Sequence, residues 1–369
     1  MTGFRWGIFG TGAISAKFVL GLAAAPGHEA VMVASRSQQS ADAFAAGLGI
    51  EHAIEGYEAA ANSAAKSGLV DAVYIASPPS QHAEHALMCI AAGIPVLVEK
   101  PFAANAEDAR KIAEAACAAN VFAMEAMWTR FLPAARAFKQ KIESGALGDV
   151  RQVTGSFGSS KLPDPSDSAF DPARGGGAIG NGVYPLSLAQ WLFGTPENVA
   201  ATGSIGEHGV EEDAVIQLTY PGGIIGSFIC SIRAWAPNDF RVMGTSGAAA
   251  FAGPIYRPYG VELSQQSPKG KAPARFDRKT KLRESGLAQR AAQRLAVSSR
   301  SGGKMTRHPY AGNGYHYEAL EVAACLARGE TQSAVMPLDD SIEVAETVDT
   351  ARAAIGLPSL SSSSGNTSR

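Results

Sequence analysis

Short apolar runs alternate with longer stretches of helical period through the first 130 residues. Residues 31–34, 72–76 and 94–98 are unbroken apolar runs of strand length, the pattern of strands buried on both faces. Between them, residues 40–48, 82–92 and 106–119 are rich in Ala and read as helices. Strand and helix in repetition predict crossover units and a doubly wound parallel sheet. Beyond Asp149 the period changes to two. Ala214, Ile216, Leu218 and Tyr220 share one face of a strand, and after the turn Pro221-Gly222-Gly223 a partner strand runs over 224–233. An open, mostly antiparallel sheet is therefore expected in a second domain. The predicted division is residues 1–130 and 131–358, with helices over 318–328 and 338–355, the last packing back on the first domain. A Ser-rich disordered tail is expected over 359–369.

Composition narrows the partners more than the fold. A net charge of -2 over 369 residues gives no bulk attraction to nucleic acid or to an anionic membrane. One stretch departs from this balance: residues 268–307 hold twelve Lys or Arg against only Asp277 and Glu284, leaving about -12 on the rest of the chain. With Phe276 its one aromatic residue, and no aromatic interleaving that suggests base stacking, it reads as a solvated loop carrying one short helix over 287–297, rather than an anion-binding or partner-binding arm. Cys89, Cys117, Cys230 and Cys325 lie far apart, so no metal site, redox motif or disulfide framework is expected. There is no run of 18 apolar residues, and Met1 to Trp6 lead directly into the first strand. The expectation is a cytoplasmic protein with a small-molecule partner. Val215, Gln217, Thr219, Ile225, Ser227, Ile229 and Ser231 give the outer sheet face a semi-polar mixture, suited to pairing as a homodimer or higher even oligomer.

The first strand ends in Gly10-Thr11-Gly12-Ala13-Ile14-Ser15, followed by a helical run. Glycine serves there because the backbone must bend sharply and approach a pyrophosphate, while the helix N-terminus supplies free N–H donors. Ser15 stands where a third glycine is usual and remains small enough for close helix–strand packing. This strand–turn–helix context predicts a Rossmann dinucleotide site. At the end of the second strand, where an NAD site would carry an acid for the ribose hydroxyl, the chain has Ser35 and Arg36. A hydroxyl and a guanidinium suit a 2′-phosphate, so NADP is expected in preference to NAD.

Further stretches give this generic fold a specific likeness. Glu99-Lys100-Pro101, the run Met124-Glu125-Ala126-Met127-Trp128-Thr129-Arg130-Phe131, Ser77-Pro78-Pro79 and Asn313-Gly314-Tyr315-His316-Tyr317-Glu318 together resemble the Gfo/Idh/MocA oxidoreductases. Within them, the likeness is greatest to the branch holding dimeric dihydrodiol dehydrogenase and NADP-dependent xylose dehydrogenase. The resemblance implies hydride transfer between nicotinamide and a CH–OH carbon of a sugar or cyclic diol. It places the pyrophosphate on Gly10 to Ile14 (Thr11, Gly12 and Ala13 included), the ribose at Ser77 and Pro78, and the nicotinamide ribose at Glu99 and Lys100. Trp128 and Arg130 would line the nicotinamide end. His82, on the first turn of the next helix, either touches the cofactor or caps the helix.

The resemblance also implies an Asp-x-Gly-x-His or Asp-x-Gly-x-Tyr helix. Here Gly175-Gly176-Gly177-Ala178-Ile179-Gly180-Asn181-Gly182-Val183-Tyr184 puts Gly180 at the aspartate position, with Asn181 the nearest polar substitute. Removal of hydride from a carbinol needs a group that takes the hydroxyl proton. Lys100, at the carboxyl end of a buried strand and beside a cationic nicotinamide, has its ammonium form disfavoured and is the candidate base. Tyr184 would donate to the same oxygen or relay a proton; Asp213 and His316 are not candidates. Substrate contacts are expected from Lys100, Trp128, Asn181 and Tyr184. The competing reading is a non-catalytic NADP-binding regulator of the same fold.

Overall fold

The computed structural model describes residues 3–172, 174–266, 281–282, 285–290 and 304–360. Its first sheet has six parallel strands, β1 (Phe4–Phe9), β2 (His28–Ser35), β3 (His52–Glu55), β4 (Ala72–Ile75), β5 (Val96–Glu99) and β6 (Ala123–Ala126). They lie in the order β3-β2-β1-β4-β5-β6. β4, β5 and β6 are buried along their whole length, with Glu99 and Glu125 enclosed in β5 and β6. Helices α1 (Ala13–Gly21), α2 (Gln38–Leu48), α3 (Tyr57–Ser67), α4 (His82–Ala91) and α5 (Ala106–Ala119) supply the crossovers. Ser37 and Asn105 cap α2 and α5 by accepting from the N–H groups of Ser40 and Asp108. Neither β3 nor α3 was marked by a sequence pattern, because β3 is four residues long and only partly buried. Strand order reverses between β1 and β4, and a crevice opens there at the carboxyl edge.

After α6 (Pro133–Glu143) the chain enters an eight-stranded sheet. Its strands are β7 (Val150–Gly158), β8 (Asn198–Ile205), β9 (Glu211–Tyr220), β10 (Ile224–Ser231), β11 (Phe240–Gly244), β12 (Gly247–Ala252), β13 (Gly260–Gln265) and β14 (Lys304–Arg307). Every neighbouring pair is antiparallel except β7 with β10. Ala214, Ile216, Leu218 and Tyr220 are buried on the inner face, against α7 (Val183–Phe193) and α9 (Leu338–Ile355). On the outer face Val215, Ile225 and Ile229 are exposed. Lys304–Arg307, expected in a solvated loop, instead forms the edge strand β14 on β13. Residues 286–290 are helical, and the rest of the basic stretch, apart from 281–282 and 285, lies outside the described residues. The tail is also docked at its start: Leu360 is buried and its carbonyl accepts from Asn105 Nδ2 at 2.7 Å. Among the described residues, no helix is long and apolar enough to cross a membrane.

α8 (His316–Ala327) and α9 close the molecule. α9 joins the two sheets through charged side chains on opposite sides. Toward the first sheet, Asp349 accepts from the Ala106 N–H at 2.9 Å and Glu346 pairs with Arg110. Toward the second, Glu343 accepts from Gln190 and Arg352 pairs with Glu211, both members of the last pair being buried. Glu211 also accepts from the Ala178 N–H at 3.2 Å, so this pair reaches the start of α7's preceding turn. Arg352→Ala leaves a carboxylate enclosed without its cation, with an expected loss of about 3–5 kcal/mol. A thermal midpoint unchanged from the parent would show that the pair holds nothing in place.

Candidate active site

Two cavities meet between the carboxyl edge of the first sheet and the loop that leads from β7 to α7. One, of about 330 Å³, is a groove lined by Gly10, Thr11, Gly12, Ser35, Arg36, Tyr57, Ala76, Ser77, Pro78 and Pro79, with Ser168 and Arg174 opposite. The other, of about 260 Å³, holds Lys100, Pro101, Lys161, Gly175, Gly176, Gly180, Asn181 and Ile232 among its walls. Pro79, Ser168 and Arg174 line both, so the two are continuous.

The groove has the features a dinucleotide needs. Gly10 has φ +108°, and a Cβ there would lie 2.7 Å from the Ala76 carbonyl oxygen. A Cβ on Gly12, by contrast, would meet nothing within 4 Å, so open space faces the turn. No side chain caps α1, whose first N–H groups, from Ala13 and Ile14 onward, remain available to an anion. Ser35 and the exposed Arg36 follow at the end of β2.

Lys100 follows β5 directly, and its backbone N–H donates to Glu99 Oε2 at 3.0 Å. The side chain crosses to the other sheet's helix, where Nζ donates to the Gly180 carbonyl at 3.3 Å and sits 4.9 Å from the centre of the Tyr184 ring. The residue is only partly buried overall, but its ammonium is enclosed between these groups. Burial pushes its pKa below the usual lysine value, against the opposing pull of Glu99 and Glu125. Burial and Glu99 raise the Tyr184 phenol, which therefore stays protonated and acts as a donor. Trp128 Nε1 donates to Tyr184 Oη at 3.4 Å, and Trp128 stacks on Tyr315 with ring centres 4.5 Å apart. Phe157 lies 5.2 Å from Tyr184 and 5.3 Å from Tyr256, completing an aromatic wall. Asn181 donates to the Ser231 carbonyl at 2.7 Å. The turn Ala178–Gly182 that carries Gly180 and Asn181 is π-helical, a distortion common at functional sites.

Residues 4–127 match the oxidoreductase family with an NAD-binding Rossmann fold, and residues 135–250 match the GFO/IDH/MocA C-terminal domain. A mouse trans-1,2-dihydrobenzene-1,2-diol dehydrogenase is 34% identical over 365 residues, covering 96% of this chain and 97% of the relative. The chain belongs to the Gfo/Idh/MocA family. Among solved structures, levoglucosan dehydrogenase in complex with NADH and levoglucosan superposes with a TM-score of 0.77 at 21% identity, covering 96% of this chain and 97% of the other. KijD10, a 3-ketoreductase from Actinomadura kijaniata with NADP and TDP-benzene, gives 0.76 at 22% identity, covering 95% and 98%. These two show the fold. As a Gfo/Idh/MocA member with a dehydrogenase relative along its length, the protein is an NAD(P)-dependent oxidoreductase acting on CH–OH groups.

Trp128 and Tyr184 are buried and line neither cavity, Tyr184 lying beside the Lys100 ammonium, and three further expected contacts are also off the surface of this Gfo/Idh/MocA cleft. Arg130 is fully buried: Nε and one terminal nitrogen donate to the Ser187 hydroxyl (2.9 Å) and carbonyl (2.6 Å). The other donates to the Val335 carbonyl (3.2 Å) and to Asp340 (2.5 Å), so no nitrogen is left for nicotinamide. His82 is buried behind the wall, each ring nitrogen 2.8 Å from a carbonyl oxygen, of Pro101 and of Ser77. A neutral ring donates to only one of them; burial holds the pKa down at about 4, so the other is a close approach without a proton. Glu99 is likewise enclosed, accepting from Tyr74 Oη at 2.5 Å. All three reach the cleft indirectly, by fixing the backbone on which its walls stand. Conversely, Tyr57, Lys161, Ser168 and Arg174 on the cavity walls, and Phe157 and Tyr256 beside Tyr184, were not anticipated. They lie on segments with no motif of their own, and the turn of the chain alone brings them to the site.

Arg130→Met separates the two roles. The expected outcome is a lowered thermal midpoint with the dissociation constant for NADPH within about threefold of the parent, from the loss of hydrogen bonds to a buried charge. A large loss of NADPH affinity in a protein of unchanged thermal midpoint would return Arg130 to the nicotinamide site.

Proposed function

We propose that this enzyme oxidises a CH–OH carbon of a sugar or cyclic diol with NADP, with Lys100 as the general base. The observation that carries this reading is the Lys100 ammonium, enclosed against Gly180 and Tyr184 on the wall of the smaller cavity, which is continuous with the dinucleotide groove. The nicotinamide, when bound, accepts the hydride from the carbinol carbon. Lys100 in its neutral form takes the hydroxyl proton, leaving a carbonyl. Tyr184, protonated throughout, donates to that same oxygen and orients it. Asn181, on the cavity wall, offers a polar contact to a second hydroxyl. The mouse relative is a dehydrogenase of a cyclic diol, which supports the substrate class. Ser35 and Arg36 at the rim support NADP over NAD. The exposed Val215, Ile225 and Ile229 support pairing of the outer sheet face with a second copy, and four free cysteines fit a reducing cytoplasm. Gly180, where the resemblance implies an aspartate, is a cleft feature on the side of the non-catalytic alternative; the enclosed Lys100 ammonium beside Tyr184 favours the enzyme.

The mechanism is tested by Lys100→Met and Tyr184→Phe, with turnover and NADPH affinity measured on each. Lys100→Met should lower kcat by about a hundredfold or more. Since oxidation requires the neutral amine, kcat/KM should rise with pH through a midpoint below the roughly 10.4 of free lysine. That limb should vanish in Lys100→Met. Normal NADPH binding with turnover kept within about threefold would refute the mechanism. Tyr184→Phe should cost at least about tenfold in kcat, and a smaller loss would confine Tyr184 to binding.

Cofactor choice is tested separately, by fluorescence titration of both reduced nucleotides. Arg36→Ala should weaken NADPH about tenfold or more, the worth of a charge-assisted hydrogen bond, while NADH shifts by less than about threefold. Equal losses for both would remove Arg36 from the 2′-phosphate.

A further inference from the structure

Gly175, Gly176 and Gly180 line the smaller cavity, Gly177 and Gly182 stand beside them in the chain, and all but Gly180 are there for packing. A Cβ at Gly175 would collide with the Ala169 carbonyl, and one at Gly176, where φ is +123°, with the Glu211 carboxylate. At Gly177 it would stand 3.3 Å from the Cys230 carbonyl oxygen, and at Gly182 3.0 Å from Cys230 Sγ. Gly180 is different. A Cβ there would meet nothing within 4 Å, and its φ is not in the left-handed region. Neither the backbone nor its neighbours demand glycine, and glycine is among the least favourable residues inside a helix. The residue lines the cavity and its carbonyl holds Lys100 Nζ at 3.3 Å, so the empty space lies beside the proposed base.

We propose that Gly180 sets the size of the substrate: the room its missing side chain leaves is taken by the ring carbons that flank the reacting hydroxyl. This rests on the reading of the cleft as a sugar or diol site. It goes further in assigning selectivity for ring substrates over short acyclic diols to one position. The carbonyl that holds Lys100 belongs to the backbone, so a side chain at 180 fills the cavity without removing that bond. Gly176 and Gly182 cannot serve the same purpose, because enlarging them disturbs Glu211 or Cys230 before it reaches the cavity.

The test uses Gly180→Ala and Gly180→Leu beside the parent. Ring substrates (trans-cyclohexane-1,2-diol and a pyranose) are compared with propane-1,2-diol. Turnover is read with NADP, and affinity separately, by quenching of the fluorescence of enzyme-bound NADPH. Expected is a fall of about tenfold or more in the ring-to-acyclic ratio of kcat/KM for Gly180→Leu, a smaller fall for Gly180→Ala, and a parallel fall in ring affinity. The thermal midpoint of Gly180→Ala should be no lower than the parent's, since the substitution removes a helix-unfavourable residue from open space. An unchanged ratio and unchanged ring affinity would overturn the proposal, as would a parent complex that binds no ring compound. A parent that binds ring compounds but turns none over would refute the proposed reaction instead, while the affinities still decide the role of Gly180.

Discussion

Two buried guanidinium groups govern how the two sheets face each other. Arg130, at the end of the first sheet's chain segment, meets Ser187 of α7 and Asp340 of α9. Arg352 of α9 meets Glu211 of β9. An enclosed cation that loses its partner costs about 3–5 kcal/mol, so a shift of α9 by one turn would leave both charges unpaid at once. Such pairs add less to stability than their contacts suggest, because desolvation offsets most of the attraction. Their effect here is on placement. With α9 set, α7 and the turn before it are held against the carboxyl edge of β5.

That placement creates the environment of Lys100. The lysine belongs to the first sheet by sequence, and its partners Gly180 and Tyr184 belong to the second. Near it lie the buried acids Glu99, Glu125 and Glu318. Glu125 accepts from the Phe102 N–H at 3.1 Å, and burial raises its pKa to about 7. Glu318 is fully buried with neither oxygen hydrogen-bonded among the described residues; burial and Glu99 raise it well above the carboxylate range, so it is the neutral member beside Glu99. Glu99 itself is steadied by the Tyr74 hydroxyl and the Lys100 N–H. Glu99 and Glu125 pull the Lys100 ammonium up, and burial, the larger effect, prevails.

The aromatic wall follows from the same docking. Tyr315 packs on Trp128 only because Gly314, at φ +99°, passes close over the indole, where a Cβ would lie 3.0 Å from the ring. Phe157 and Tyr256 come from the second sheet and meet Tyr184 from the side. Five separate stretches of chain thus build one aromatic cluster beside the Lys100 ammonium.

Much of this protein was determined by local pattern. The apolar runs that became β2, β4 and β5, the alternation that became β9, and the glycine turn before α1 each act through steric and burial rules that operate over a few residues. Gly10, Thr11, Gly12, Ser35, Arg36, Ser77 and Pro78 accordingly line one groove as expected, and Lys100 and Asn181 line the adjoining cavity. Arg130, His82 and Glu99 were legible as members of motifs, but a motif does not say whether a side chain turns toward the cleft or away from it. Arg174, Phe157 and Tyr256 carried no local signal at all. Direction and company were decided by tertiary structure, because a charge in an apolar interior is tolerated only where distant segments supply its partners. For Arg130 those partners are Ser187, Val335 and Asp340, more than fifty residues away along the chain and adjacent only after folding.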